Sequence, residues 1–367
     1  MRLLICGGGT AGHVYPAIAV ARALSGGGRN VAVLALGSKS PRDRELFESA
    51  GYEFEALGGA PLTGMGARLP ANAVRTALAA GIALRAVGRF HPDAALSTGA
   101  YAAVPGTVAC FARRVPVVLL VSDSRPGRAA ALIGRFATAI ATATEEAASR
   151  FEASKTWTTG YPLREEFASP DGARARRRLG LAESRRTVLI SGGSQGSELI
   201  NQTCAAILPD LLAAADVVHL TGSAHIARHT ALKQRLPAEA QDSYHPIAYL
   251  AEGMADLMCA ADLAVARAGG SVHELAATGL PSILIPGSFA GGHQAANARW
   301  LANGRAALVI PESELSPPRL LDAAMGLLDK PDELERMASA AMKLGRRDAA
   351  ARVAEILLEA VQERRAA

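Results

Sequence analysis

The stretch Arg2-Leu3-Leu4-Ile5-Cys6-Gly7-Gly8-Gly9-Thr10-Ala11-Gly12-His13 decides the fold. A short apolar run, a cluster of glycines and then an amphipathic segment make the opening of a βαβ unit. Arg2 to Cys6 reads as the first strand and Gly7 to Gly12 as its turn. Pro16 to Leu24 reads as the first helix, with Pro16 in the opening turn, where a missing N–H does no harm.

The same rhythm continues outward. Val31 to Leu36, Ala94 to Leu96 and Val115 to Val121 read as further strands, and Ala137 to Ala143 is another short apolar run. A second cycle starts after Tyr161-Pro162. The arginine-rich stretch from Asp171 to Arg186, with Arg174, Arg176, Arg177 and Arg178, predicts a surface helix leading into a strand at Thr187 to Ser191. Gly192-Gly193-Ser194-Gln195-Gly196 is the turn that follows. Val217 to Leu220, Leu263 to Ala266 and Ser282 to Ile285 complete the predicted strands. A closing helix, Ala350 to Gln362, gathers Val353, Ile356, Leu357 and Ala360 on one face. Two strand, glycine-turn and helix starts, about one domain apart, predict two related α/β halves with the ligand in the cleft between them. The 367 residues suit two domains.

Composition narrows the function. Half the chain is apolar and a fifth is charged, as in a globular protein, and an aromatic share of 4% argues against a base-stacking nucleic-acid binder. The formal charge of +5 fits an anionic ligand, an anionic membrane surface or simply a solvated basic face. Cys6, Cys110, Cys204 and Cys259 lie far apart in apolar surroundings and form no metal or disulfide pattern, so they read as buried thiols of a reducing cytoplasm. The chain opens directly on a strand, without the pattern of a secretory signal. Ala71 to Val87 carries Arg75 and Arg85 and falls short of a membrane span.

Each glycine turn has two readings. The first satisfies GxGxxG, so a dinucleotide enzyme must be weighed. That enzyme wants an acid after strand two to bond the ribose. Here the strand runs into Gly37-Ser38-Lys39 and the nearest acid is Asp43, which weakens NAD and leaves NADP open through Ser38, Lys39 and Arg42. Thr10, Ala11 and Gly12 would offer amides to a diphosphate at a helix N-terminus. His13 would act as a base or hold an acceptor group, or would merely cap the helix. The second turn offers Ser194 to a phosphate, or is only a tight βα connection.

The third, Arg267-Ala268-Gly269-Gly270-Ser271-Val272-His273-Glu274, joins an anion cradle to a carboxylate that accepts from ribose hydroxyls. His293 and Gln294 are candidates for sugar hydroxyls, and Asn297 for capping its own helix.

Taken together, these segments resemble the MurG family of GT-B glycosyltransferases over nearly the whole chain. The match runs through Leu36-Gly37-Ser38 with Glu45 and Ala50-Gly51-Tyr52, then Thr98-Gly99-Ala100-Tyr101 with Pro105-Gly106. It continues through Pro126-Gly127, Arg135-Phe136-Ala137, Gly160-Tyr161-Pro162-Leu163-Arg164, Gly192 to Gly196 with Asn201, Gly279-Leu280-Pro281, and His293-Gln294 with Asn297-Ala298. The resemblance implies an α/β GT-B fold, in which two Rossmann-like domains face their parallel sheets across a cleft. It implies an N-terminal acceptor domain, residues 1–163, with a C-terminal helix, 346–367, packing back on it. Residues 164–345 would form the UDP-sugar domain.

The activity implied is inverting transfer of N-acetylglucosamine from UDP-N-acetylglucosamine to undecaprenyl-pyrophosphoryl-N-acetylmuramyl-pentapeptide in peptidoglycan synthesis. Arg164, Ser194, the backbone near Ala251, Gly269, Gly270, Ser271, Glu274, His293 and Gln294 would hold the donor. Thr10, Ala11, Gly12 and Tyr101 would contact substrate from the N-terminal domain, with His13 beside the acceptor. No metal, no cofactor and no nucleic acid is implied. The enzyme would be cytoplasmic and peripheral on the inner face of the membrane. The segment Pro61 to Arg89, with Met65, Arg68 and Leu69, would be its apolar patch, or else a helix packed on the sheet.

Three departures stand out. Where the family carries His-Glu-Gln-Asn, this chain has Leu120-Val121-Ser122-Asp123, which makes Asp123 both a donor contact and a second candidate base. Ala100 replaces a glycine, and the cradle before Glu274 is one residue shorter. The first departure keeps open a same-fold transferase with another lipid or small-molecule acceptor. A UDP-sugar 2-epimerase would need more carboxylates than Asp123 from the N-terminal half. A nucleotide-binding regulator would bind UDP without consuming the sugar nucleotide.

Overall fold

The computed structural model describes residues 1–57, 69–193, 195–250, 252–288 and 292–366, with the backbone alone for 69–73. The chain forms two compact units, Met1–Arg164 with Arg347–Ala367, and Glu165–Arg346.

Unit 1 is built on a seven-stranded sheet in the order β3-β2-β1-β4-β5-β6-β7. Its strands are β1 (Arg2–Cys6), β2 (Ala32–Gly37), β3 (Glu53–Ala56), β4 (Ala94–Ser97), β5 (Val117–Val121), β6 (Ala139–Thr142) and β7 (Thr156–Thr158). Unit 2 has six strands in the order β10-β9-β8-β11-β12-β13. These are β8 (Arg186–Ser191), β9 (Ala215–Leu220), β10 (Tyr244–Ile247), β11 (Leu263–Ala266), β12 (Ser282–Leu284) and β13 (Ala307–Val309). Every pairing is parallel, as the crossover helices require. The expected GT-B class, two parallel-sheet α/β bodies, is what the chain adopts.

Strand alternation splits the core of unit 1 into two layers. Leu3, Ile5, Val118 and Leu120 pack with Val14 and Ile18 of the first helix and with the closing helix, Ala349–Ala366. That helix buries Val353, Ile356, Leu357 and Ala360, the face read from its sequence. Leu4, Leu34, Leu36 and Leu119 point the other way, toward Ala79 and Ala83 of the helix Leu69–Phe90. Cys6, Cys110 and Cys204 are buried as expected, but Cys259 is exposed. The helix Met254–Ala260 turns Ala255, Leu257 and Met258 inward and leaves Cys259 on its outer side.

The first helix differs from its sequence reading. It runs Ala11–Ser25, so Pro16 sits inside it rather than in its opening turn. Proline has no N–H to give to the carbonyl four residues back, which is that of Gly12. Tyr161 supplies the missing donor: its hydroxyl donates to the Gly12 carbonyl at 3.2 Å. The helix therefore starts five residues early without an orphaned acceptor.

Unit 2 holds a buried polar chain whose hydrogen-bond directions can be worked out. Asn201 Nδ2 donates to the Thr221 carbonyl at 2.8 Å, so Asn201 Oδ1 accepts from His219 Nε2 at 3.1 Å. His219 Nδ1 is then an acceptor for the Tyr244 hydroxyl at 3.1 Å, and His229 Nδ1 donates to that hydroxyl oxygen at 2.8 Å. His219 must be neutral for this order to hold, because its Nδ1 accepts. Burial pushes His219 down to about 3, and burial also lowers His229. The unfolded chain therefore takes up protons before the folded one. Stability from these groups is intact above roughly pH 6.5 and is lost as pH falls toward 3. The unfolding free energy from urea titrations should drop between pH 7.5 and 5.5, by up to about 1.4 kcal/mol per pH unit for each such histidine. His219→Gln should flatten that dependence, and an unchanged pH slope would show that the chain does not titrate this way.

Candidate active site

Helices that follow parallel strands begin at the strands' carboxyl ends with unpaired backbone amides, and both units collect their glycine turns there. In each sheet the chain reverses its direction of growth between two neighbours, β1 and β4 in unit 1 and β8 and β11 in unit 2. The glycine turns flank these switch points.

After β1 the glycines divide into two kinds. A Cβ on Gly7 would meet Thr98 Oγ1 at 2.4 Å, and one on Gly8 would meet Asp43 Oδ2 at 2.3 Å. Gly9, at φ +93°, opens onto free space. Asp43 is buried beneath this turn, where its Oδ2 accepts from the Gly9 amide at 2.7 Å and from Ser38 Oγ at 2.5 Å. An internal carboxylate thus occupies one amide of the loop and sets a negative charge where a dinucleotide would bring its diphosphate. It also ties up Ser38, one member of the NADP set. Both effects weigh against the dinucleotide reading.

Beyond this turn, Thr10 is exposed at the N-cap and makes no side-chain cap, while Ala11, Gly12 and His13 are half-buried in the first helical turn. Tyr101 stands exposed after β4, and half-buried Asp123 follows β5. Leu120 and Val121 are core residues of that strand. Since β1, β4 and β5 are neighbours, Thr10 to His13, Tyr101 and Asp123 share one sheet edge. Arg164 closes unit 1, with its guanidinium 5.0 Å from the centre of the Tyr15 ring.

In unit 2, Gly192 and Gly196 are packing glycines, since added Cβ atoms would lie 2.3 Å from Ser197 N and the Thr221 carbonyl. Gly193, at φ +84°, is open. Ser194 and Ala251 lie outside the described residues. After β11, Gly269 is open and Gly270 precedes the helix Ser271–Thr278. Ser271 Oγ donates back to the Arg267 carbonyl at 3.4 Å. Val272, His273 and Leu275 turn inward, His273 packing on Trp300 with ring centres 4.7 Å apart, whereas Glu274 is only half-buried.

After β12, half-buried His293 and Gln294 open the helix His293–Asn303, and Gln294 Oε1 accepts from the Gly287 amide at 2.8 Å. Asn297 does not cap its own helix. It is fully buried and donates from Nδ2 to the Ala268 carbonyl at 3.2 Å, which pins the third glycine turn. The adjacent strands β8, β11 and β12 thus bring Gly193, Gly269, Gly270, Ser271, Glu274, His293 and Gln294 to one edge. Among the described residues no group of three His, Cys, Asp or Glu side chains could hold a metal ion.

The sequence reading missed one ion pair at this edge. Arg267 Nη2 donates to Glu312 Oε1 at 2.5 Å and to Ser197 Oγ at 2.9 Å, and Nη1 donates to the Ile285 carbonyl at 3.1 Å. Glu312 Oε2 accepts from the Ser288 amide at 2.9 Å and its hydroxyl at 2.8 Å. The Ser288 amide first, then its hydroxyl and Arg267, hold the Glu312 carboxyl below the usual range against the opposing effect of burial. Arg267 stood in the quoted third turn, but Glu312 lies 45 residues away and carried no motif.

Comparison with known proteins gives the edge a context. Residues 3–142 match the glycosyltransferase family 28 N-terminal domain and residues 187–353 the C-terminal domain of that family. A UDP-N-acetylglucosamine--N-acetylmuramyl-(pentapeptide) pyrophosphoryl-undecaprenol N-acetylglucosamine transferase of Bacillus licheniformis is 33% identical, with 98% of each chain covered. The transferase of the same name from Moorella thermoacetica is 34% identical over 99% of this chain and 100% of its own. The crystal structure of Acinetobacter baumannii MurG shares the fold, with a TM-score of 0.74 at 23% identity, covering 98% of this chain and 99% of that one. The chain therefore belongs to the MurG family of N-acetylglucosamine transferases, within glycosyltransferase family 28.

Proposed function

We propose that this chain transfers N-acetylglucosamine from UDP-N-acetylglucosamine to undecaprenyl-pyrophosphoryl-N-acetylmuramyl-pentapeptide, with inversion at the anomeric carbon. The observation that carries the reading is identity of 33% over 98% of a transferase with that donor and acceptor in its name. The open glycines at Gly193 and Gly269 support it, because they leave room for a diphosphate to approach backbone amides at helix starts. Full-length relatives named as transferases favour transfer over epimerisation.

In this mechanism the donor lies on unit 2. Gly269 to Ser271 receive the diphosphate, Glu274 accepts from the ribose hydroxyls, and His293 and Gln294 hold the sugar, with Ser194, the Ala251 backbone and Arg164 as further donor contacts. An acceptor hydroxyl forms its bond to the anomeric carbon as the bond to the UDP oxygen breaks. The electron pair leaves on UDP, and the helix N-terminus at Gly270 offsets that charge. The acceptor proton passes to His13, with Asp123 as the rival base. Thr10, Ala11, Gly12 and Tyr101 line the acceptor side.

A bilayer-bound acceptor calls for a peripheral enzyme on the inner membrane face. The helix Leu69–Phe90 supplies the surface. Ala79, Ala83, Ala86 and Val87 face the core, while Val74, Leu78 and Ile82, four residues apart, are 59%, 66% and 46% exposed. Helix packing on the sheet and an apolar outer stripe are thus both present on one element. Arg75 and Arg85 are exposed on the same helix, suited to anionic headgroups. Residues 61–68 of the segment read from sequence, Met65 and Arg68 among them, lie outside the described residues. No described helix is long and apolar enough to cross a membrane.

Three measurements test this reading. UDP release from UDP-N-acetylglucosamine should depend on a muramyl-pyrophosphoryl lipid analogue, and release indifferent to that acceptor would overturn the assignment. His13→Ala should lower kcat by about 100-fold or more while UDP binding persists; if Asp123→Asn alone does so, Asp123 is the base. Leu78→Glu with Ile82→Glu should abolish sedimentation with anionic vesicles and spare turnover of a short-chain soluble acceptor. Retained vesicle binding would move the membrane surface elsewhere.

A further inference from the structure

The Arg267–Glu312 pair joins pieces of chain that share no sequence neighbourhood. Ser197 ends the turn after β8, Arg267 opens the turn after β11, and Ile285 and Ser288 belong to the connection after β12. Glu312 follows β13 and reaches back with both carboxylate oxygens. Each bond lies at the carboxyl edge of the sheet. The three connections it fastens carry the glycines, Glu274, His293 and Gln294 of that edge.

The pair is largely screened from water, with side-chain exposures of 11% for Arg267 and 21% for Glu312. Withdrawing two charges from solvent is costly, and apolar residues would staple the same loops at lower cost if stability alone were served. What apolar packing does not give is direction. The guanidinium fixes the Ser197 hydroxyl and the Ile285 carbonyl, and the carboxylate fixes the Ser288 amide. Gly193 and Gly269, the open positions of these turns, have no neighbour against which a side chain would pack.

We propose that Glu312 is a positioning residue for the nucleotide-sugar donor: by holding Arg267 and Ser288 at once, it sets the connections after β8, β11 and β12 in a single arrangement. This rests on the reading that the donor lies on unit 2. Glu312 does not touch the donor. It presents the amides and side chains that do.

Calorimetric UDP binding and steady-state KM values for both substrates test this with Glu312→Ala and Glu312→Gln. Glu312→Ala should weaken UDP binding and raise the donor KM about tenfold or more, with acceptor KM unchanged. Glu312→Gln, whose carbonyl still accepts from Ser288, should fall between this variant and wild type. Hydrogen exchange should quicken together at the amides of residues 192–197 and 269–271, although neither segment adjoins residue 312. Unchanged UDP affinity, or faster exchange confined to residues 286–288 and 311–313, would reduce Glu312 to a local structural role and overturn the proposal. If Glu312→Ala fails to fold, the Gln variant decides by the same readouts. Failure of the wild-type chain to bind UDP overturns the donor-site reading itself, an outcome visible before any variant is made.

Discussion

The first amides of a helix have no partner within it, and in a parallel sheet the helix starts gather at the strands' carboxyl ends; the rest of this structure is arranged around that fact. Each unit answers it with a glycine turn running into a helix. Some glycines are there because neighbours leave no space, as at Gly8 above Asp43 or Gly196 against the Thr221 carbonyl. Others, such as Gly193 and Gly269, border empty space and keep their amides approachable. The two kinds look alike in sequence, yet they do opposite work.

The two units use the device differently. Under the first turn lies a buried carboxylate, Asp43, bonded to the Gly9 amide. Beside the third turn stand the Arg267–Glu312 ion pair and, in the first turn of the helix, Glu274. One amide of the first turn is therefore already taken by a carboxylate, whereas Gly269 borders open space. That bond, which weighs against a dinucleotide at the GxGxxG pattern after β1, could not be read from the glycines themselves.

The strands that sequence patterning reveals are the interior ones. The four it misses, β3, β7, β10 and β13, are the four sheet edges. Central parallel strands are covered on both faces and read as unbroken apolar runs, whereas edges such as Glu53–Ala56 and Tyr244–Ile247 carry polar side chains. The helix start was misjudged for a different reason. Pro16 normally marks a first turn, and only the hydroxyl of Tyr161, 149 residues away in sequence from Gly12, makes it tolerable inside a helix. Cys259, Asn297 and Glu312 follow the same rule, because which way a side chain faces or how far it reaches depends on partners that periodicity does not name. The turn from Gly269 into the helix at Ser271 was legible because its residues are consecutive.

The closing helix has a consequence for biosynthesis. Unit 1 consists of Met1–Arg164 and Arg347–Ala367, with the whole of unit 2 lying between them in sequence. Val353, Ile356, Leu357 and Ala360 form one wall of the first core, and the ribosome makes them only after unit 2 is complete. The first core therefore lacks that wall, over Leu3, Ile5, Val118 and Leu120, until the chain's last residues are made. For this chain the half begun first cannot close until synthesis ends.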